Sequence, residues 1–287
     1  MRAKPFLPAL LAPGLLLGMG PADPAAAARA RAAATAVTVD YGIMLAGVPI
    51  GTAQMTGAIE GQRYRMDVTA KLTGLVGAIT GGYGSGRASG VAGSGRPIPG
   101  TFAVSSHSSS TSITVRMALA RGNVVASEIV PPLLVDPERV PVDAASKRAV
   151  VDPVSALLMP AQGRGDLTDP QNCNRVIPVF DGASRFDVIL SYGETRRVEK
   201  PGYAGPVLVC NARYRPITGH RPDKPGVKFM EENTDMSVWL APVEGARVLL
   251  PLRISVRTML GTNIIEATRW TQSGAEAQAT QAAAVAQ

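Results

Sequence analysis

Arg63-Tyr64-Arg65-Met66-Asp67-Val68-Thr69-Ala70-Lys71-Leu72 alternates without a break, with Tyr64, Met66, Val68, Ala70 and Leu72 on one side and Arg63, Arg65, Asp67, Thr69 and Lys71 on the other. Period two marks a strand with one wet face, because successive side chains of a strand point to opposite sides of a sheet. The same rhythm runs through Val37 to Leu45, with Val37, Val39, Tyr41, Ile43 and Leu45 apolar. It returns in Ile113, Val115, Met117 and Leu119, and in Phe186, Val188, Leu190 and Tyr192. Val248, Leu250, Leu252, Ile254 and Val256 repeat it against Arg247, Arg253 and Arg257. Short connections separate these runs: Ala46-Gly47-Val48-Pro49, Glu60-Gly61-Gln62, Arg121-Gly122-Asn123 and Leu260-Gly261-Thr262-Asn263. Connections of that length join antiparallel neighbours. About a dozen strands at this spacing predict an all-β chain, a single curled antiparallel sheet forming an open or closed barrel. Alternation reports one buried face and does not say what covers it, so two stacked sheets are the alternative.

Helix is sparse. Asp152-Pro153, with Asp as N-cap and Pro at the first helical position, predicts a helix of about two turns through Met159. Leu75 to Ile79 predicts a second, and both read as brackets on the sheet. Gly81 to Gly95 is glycine-rich, but Gly82-x-Gly84-x-Gly86 has the wrong spacing and no βαβ context for a dinucleotide site, so it reads as a closely paired strand or bend. Pro131 to Val142 and Arg215 to Gly226 are expected to be long rim loops.

The N-terminus reads as a secretory leader. Arg2 and Lys4 precede an apolar run from Phe6 to Gly20, and the Ala-rich stretch from Ala25 to Ala34 supplies small residues for cleavage. Pro8 and Pro13 interrupt the run, which is also too short to span a bilayer. The domain plan is therefore a leader over 1–34, one β domain over 35–272 and a disordered Ala/Gln-rich tail over 273–287. The expected location is periplasmic. The whole chain carries a formal +7; cleavage after Ala28 removes Arg2, Lys4 and Asp23 and leaves +6, and cleavage after Ala34 also removes Arg29 and Arg31 and leaves +4. A mild positive excess favours peripheral contact with anionic surfaces such as lipid headgroups. Nucleic acid is not an expected partner, since aromatics are 5% of the chain and no dense basic cluster interleaves with them. No transmembrane segment is expected in the mature chain.

Cys173 and Cys210 are the only cysteines, and an even pair in an exported chain is read as a structural disulfide. With a separation of 37 residues, loop closure makes it worth about 3 to 4 kcal/mol. No metal or cofactor is expected. His-Glu-x-x-His and Gly-x-Ser-x-Gly are absent, and Ser85 sits in Gly-Tyr-Gly-Ser-Gly, which lacks the elbow spacing. His107 and His220 read as a polar strand residue and a rim-loop residue. Asp152, Asp181 and Asp187 form the thin case for a glycan-acting hydrolase, against a helix cap, a turn and a solvated strand position. No catalytic residues are assigned. Arg213 and Arg215 flank Tyr214 beside the disulfide, and with Arg253 they are the candidate anion-binding rim. Met66, Leu72, Met117, Leu190, Trp239 and Ile254 are the candidate lining of an apolar cavity.

Several short motifs occur in a set order: Tyr41-Gly42-Ile43 with Gly47 and Ile50-Gly51-Thr52, then Val151-Asp152-Pro153-Val154-Ser155-Ala156-Leu157-Leu158 and Phe180-Asp181-Gly182. Cys210-x-x-x-Tyr214-x-Pro216-x-x-Gly219 and Leu250-Pro251-Leu252-Arg253 complete the series. Together they resemble an exported family of Gram-negative bacteria known as domain of unknown function three-one-zero-eight, from about Thr38 to Trp270. The resemblance implies an antiparallel β-rich periplasmic protein with no assigned catalytic residues. It also implies a shape similar to the curled half-barrels of lipoprotein carriers, which hold acyl chains in an apolar concavity. The functional expectation is a non-enzymatic envelope protein that binds a lipid, lipoprotein or glycolipid. A scaffold binding an envelope protein or the cell-wall polymer is the alternative.

Overall fold

The computed structural model of the protein describes residues 34–273. Residues 1–33 and 274–287, which hold nearly all of the expected leader (1–34) and the expected tail (273–287), lie outside the described residues.

Fourteen strands make one antiparallel sheet. They are β1 (Thr35–Leu45), β2 (Val48–Glu60), β3 (Arg63–Leu72), β4 (Tyr83–Ala92), β5 (Pro97–His107), β6 (Ser112–Ala120) and β7 (Asn123–Val130). After a long connection follow β8 (Met159–Pro160), β9 (Arg175–Phe180), β10 (Arg185–Lys200), β11 (Tyr203–Thr218), β12 (Met236–Pro242), β13 (Val248–Thr258) and β14 (Gly261–Ser273). The spatial order is β7-β6-β5-β4-β3-β2-β1-β14-β13-β12-β11-β10-β9, with β8 attached to β13. Pairing of β1 with β14 joins the two halves, so the sheet is continuous but not closed, and β7 and β9 are its edges. The single curled sheet is thus the architecture, with β8 and β12 among the strands that sequence alternation passed over.

The turns form where the sequence places them. Ala46-Gly47 and Arg121-Gly122 both have positive φ at the two turn residues, the mirror-image geometry that suits the twist of a tight hairpin. Two short α-helices interrupt the sheet: α1 (Gly74–Thr80), where Leu75 to Ile79 predicts one, and α2 (Pro225–Glu232). The latter corrects the expected rim loop over Arg215 to Gly226, because Arg215 to Thr218 complete β11 and Pro225 then starts a helix. The helix expected after Asp152 is likewise corrected to one 3₁₀ turn, Ser155–Leu157. Pro160 disfavours helical backbone at Met159, and the chain extends there to pair with β13.

That turn is the centre of the core. The segment from Val150 to Leu158 lies against β3 to β6, where Val150, Val154 and Leu158 join Met66, Ala88, Phe102, Val115 and Met117 in one buried cluster. Glycine makes the approach possible: a Cβ at Gly86 of β4 would come within 2.9 Å of Val154 Cγ2. A second cluster gathers Ile177, Val179, Leu190, Met236, Val238 and Leu249 around the disulfide. The two clusters use opposite faces of β11, Val207 and Val209 facing one and Leu208, Cys210 and Ala212 the other. The long connection also bonds to each sheet edge at one place. Val124 of β7 donates to Lys147 and Val150 donates to Gly122, while Val151 donates to Pro178 and accepts from Phe180 beside β9.

Candidate functional site

The second cluster is not filled. An apolar cavity of about 270 Å³ lies between the end of the plugging segment (Ala156, Leu157, Met159) and the sheet from β9 to β13. Its wall includes Ile177, Val188, Leu190, Ala212, Val238, Ile254 and Val256. Met230 of α2 and the buried Met236 at the start of β12 also line it, and Ser237, Ser255 and Tyr214 are its hydroxyl-bearing residues. Parity builds the wall: Val188 and Leu190 share one face of β10, Ala212 and Tyr214 share one face of β11, and Ile254 and Val256 share one face of β13. A bulge opposite Trp239 and Leu240 lets Pro251 and Ile254 both face the cavity although they are three residues apart. None of the residues of α2 is buried, so the helix rests over the opening without being locked into the core.

Cys173 and Cys210 are bonded, with Cα atoms 5.4 Å apart and both side chains fully buried. The bond ties the turn before β9 to the middle of β11, behind the cavity wall. Arg175 braces the same region by donating to the carbonyls of Asn172, Gly95 and Pro160. Desolvation lowers its pKa to about 10.

Of the six candidate lining residues, Leu190 and Ile254 line this cavity. Met66 and Met117 are buried in the first cluster, where the plugging segment fills the space they would have lined. Leu72 faces Gly82 next to α1, and a Cβ there would meet it at 2.8 Å. Trp239 lies on the face of β12 opposite Val238, under the guanidinium groups of Arg196 at 4.9 Å and Arg253 at 5.2 Å. The expected arginine rim at the mouth is corrected by the same parity. Arg213 and Arg215 alternate with Ala212 and Tyr214, and Arg253 precedes Ile254, so all three point away from the cavity. Arg215 is paired with Asp187 at 2.5 Å, and Arg253 with Glu266 at 2.7 Å, where Lys200 also binds. Sequence reading passed over Val188, Tyr214, Met230, Met236 and Val256. Val188 already stood in the inward set of β10, whereas Met230 belongs to the unpredicted helix.

The three aspartates act as local acceptors. Asp152 is fully buried and accepts from the Val154 and Ser155 amides and the Ser155 hydroxyl, which meets Tyr64 Oη at 2.6 Å. Burial raises its carboxyl pKa to about 6 against the opposing pull of those hydrogen bonds. Asp181 accepts from the Ala183 and Ser184 amides. Asp187, expected on a solvated face, is buried between Arg185 and Arg215. Among the described residues no group of three or more His, Cys, Asp or Glu is placed to hold a metal ion, and no helix is long and apolar enough to cross a membrane.

A separate polar groove of about 630 Å³ crosses the sheet at β1 to β5, lined by Asp40, Gln54, Lys71, Tyr83 and His107 among others. Tyr83 stacks on His107 with ring centroids 4.8 Å apart, and Gln54 donates to Asp40 at 2.8 Å.

No curated protein matches the chain. Among solved structures, the chain is similar to the crystal structure of a β-barrel-like protein of domain of unknown function DUF1849 from Brucella abortus. The two share 8% identity, the match covers 84% of this chain and 98% of that one, and the TM-score is 0.46. The profile of the family described as protein of unknown function (DUF3108) matches residues 37–268, most of the described chain, and the protein belongs to that family.

Proposed function

We propose that the protein is a non-enzymatic component of the periplasmic cell envelope that holds an acyl chain of a lipid, lipoprotein or glycolipid. The observation that carries this reading is the cavity lined by Met230 of α2, apolar on nearly all sides. Protein interiors are close-packed, so an open apolar space bounded by a sheet, a plug and a loosely seated helix suits a ligand better than it suits stability. Its volume fits part of one chain, leaving a headgroup outside. The paired cysteines and the leader-like N-terminus support an oxidising, extracytoplasmic location.

Native mass spectrometry of protein purified from a periplasm tests the reading. The expected result is a hydrophobic adduct that disappears in A212F and V188F, which narrow the cavity, while both variants keep a cooperative melt. Consistently empty wild-type protein overturns it.

A scaffolding role on the cell-wall polymer is the second reading, supported by the polar groove in which Tyr83 offers an exposed ring beside amide, carboxylate and hydroxyl groups. Co-sedimentation with insoluble cell-wall glycan that is lost in Y83A favours it, and no sedimentation removes it.

A further inference from the structure

The two ends of the sheet differ in a way that the cavity does not require. At one end lie the connections β1–β2, β3–β4, β5–β6 and β13–β14 and the exit from β7, together with the charged connections β9–β10 and β11–β12. Ala46-Gly47, Thr73 to Gly82, Ser108 to Thr111, Val130 to Val135 and Met259-Leu260 contain no charged residue. At the other end every hairpin has charge in or beside it: Glu60 and Arg63, Arg96, Arg121, Lys200, and Glu244 with Arg247.

Exposed apolar side chains occur at both ends, Val125, Val176 and Ile98 among them at the other, but the two most exposed, Leu134 and Val135, and the only turn pair, Met259-Leu260, are at the first. Val48 (59% exposed), Leu134 (91%), Val135 (97%), Met259 (62%) and Leu260 (78%) all stand on the uncharged connections of this end. They are anchored there: Ala46 donates to Thr262, which sets the Val48 turn beside the Met259-Leu260 turn. Val140 exchanges backbone hydrogen bonds with Gly219 and His220 at the end of β11, which holds the Leu134 loop between β7 and β11. Isolated apolar residues on a surface are ordinary, but their concentration on uncharged tips at one end is not.

We propose that this end docks on the surface of a lipid bilayer, with the tips of Val48, Leu134, Val135, Met259 and Leu260 entering the interface. Three observations favour a bilayer over a protein partner. Three separate connections present the apolar groups, and a deformable medium accommodates that uneven outline. Charge is absent from the groups that would enter, as burial among acyl chains demands. The charged connections of the same end, β9–β10 and β11–β12, carry both signs, which suits contact with zwitterionic headgroups. The β11–β12 connection contains α2, so the cavity opening lies at the docking end. The docking itself does not depend on what the cavity holds.

Flotation with phosphatidylethanolamine/phosphatidylcholine vesicles, using the mature chain, tests the proposal. Wild-type protein is expected to float with the vesicles, and to do so equally at low salt and in 0.5 M salt, where the Debye length falls to about 4 Å and electrostatic adsorption is screened. L134E, V135E and L260E are each expected to reduce the bound fraction about tenfold, because each places a charge in the interface. These positions are too exposed for the changes to affect folding. V125E, an exposed change away from this end, is expected to float as wild type does. Failure of the wild type to float, or equal loss in V125E, overturns docking. A fluorescent fatty acid measured on the same variants reports the cavity separately, since none of the tips lines it.

Discussion

Asp152 shows how one residue can fix the plug and carry a cost. Its carboxylate organises two amides and the Ser155 hydroxyl, yet burial opposes its charge. The folded carboxyl keeps its proton up to about pH 6, while an unfolded one loses it near 3.8. The group's contribution to stability is therefore greatest below pH 4, falls between the two values and stays low above them. Denaturant titrations of wild type and D152N should show the wild-type advantage shrinking by about 3 kcal/mol from pH 3 to pH 7. A difference independent of pH would show that the carboxylate is not held in a desolvated site. Gly202 makes a backbone argument at the same scale. Its φ is +82°, and an added Cβ would collide with the Trp270 carbonyl, so G202A should destabilise by about 3 kcal/mol or more, measured by thermal melt.

Among the elements, β9 to β11 depend on the disulfide. Replacing both cysteines by serine should cost about 3 kcal/mol and lower affinity for a fluorescent fatty acid, because the wall behind the cavity loses its tie. Unchanged binding after the loss of stability would separate the staple from the site. These elements also show where sequence reading stops. β3 is fully legible because only one of its faces is buried, so alternation survives. In Val207-Leu208-Val209-Cys210 both faces are buried, and the period disappears into an apolar run. Bulges hide more: one between Tyr192 and Glu194 accompanies the outward position of Tyr192, the last of the apolar set read for β10. Helix α2 has no side-chain cap and no buried residue, which leaves only Pro225 as a start signal. For the cavity, Leu190 and Ile254 could be read from parity, whereas the placing of Arg253 ignored that it is the immediate neighbour of Ile254.

At the scale of the whole molecule, the first cluster draws residues from β1 to β6, from the plugging segment and from β11 to β14, so neither half can form its core alone. Unfolding should therefore be one transition, with fluorescence from Trp239 and Trp270 coinciding with the far-ultraviolet signal. Two separated transitions would show that the halves are independent. The sheet's open margins give the connection from β7 to β9 a further duty. Lys147 and Val150 occupy backbone groups along one margin, and Val151 occupies them along the other, only a few residues later in the chain. A single protease cut at that crossing would strip both borders at once, leaving two bare templates on one subunit. Such a nicked molecule should add copies of itself end on end faster than the intact chain, which light scattering after limited proteolysis checks.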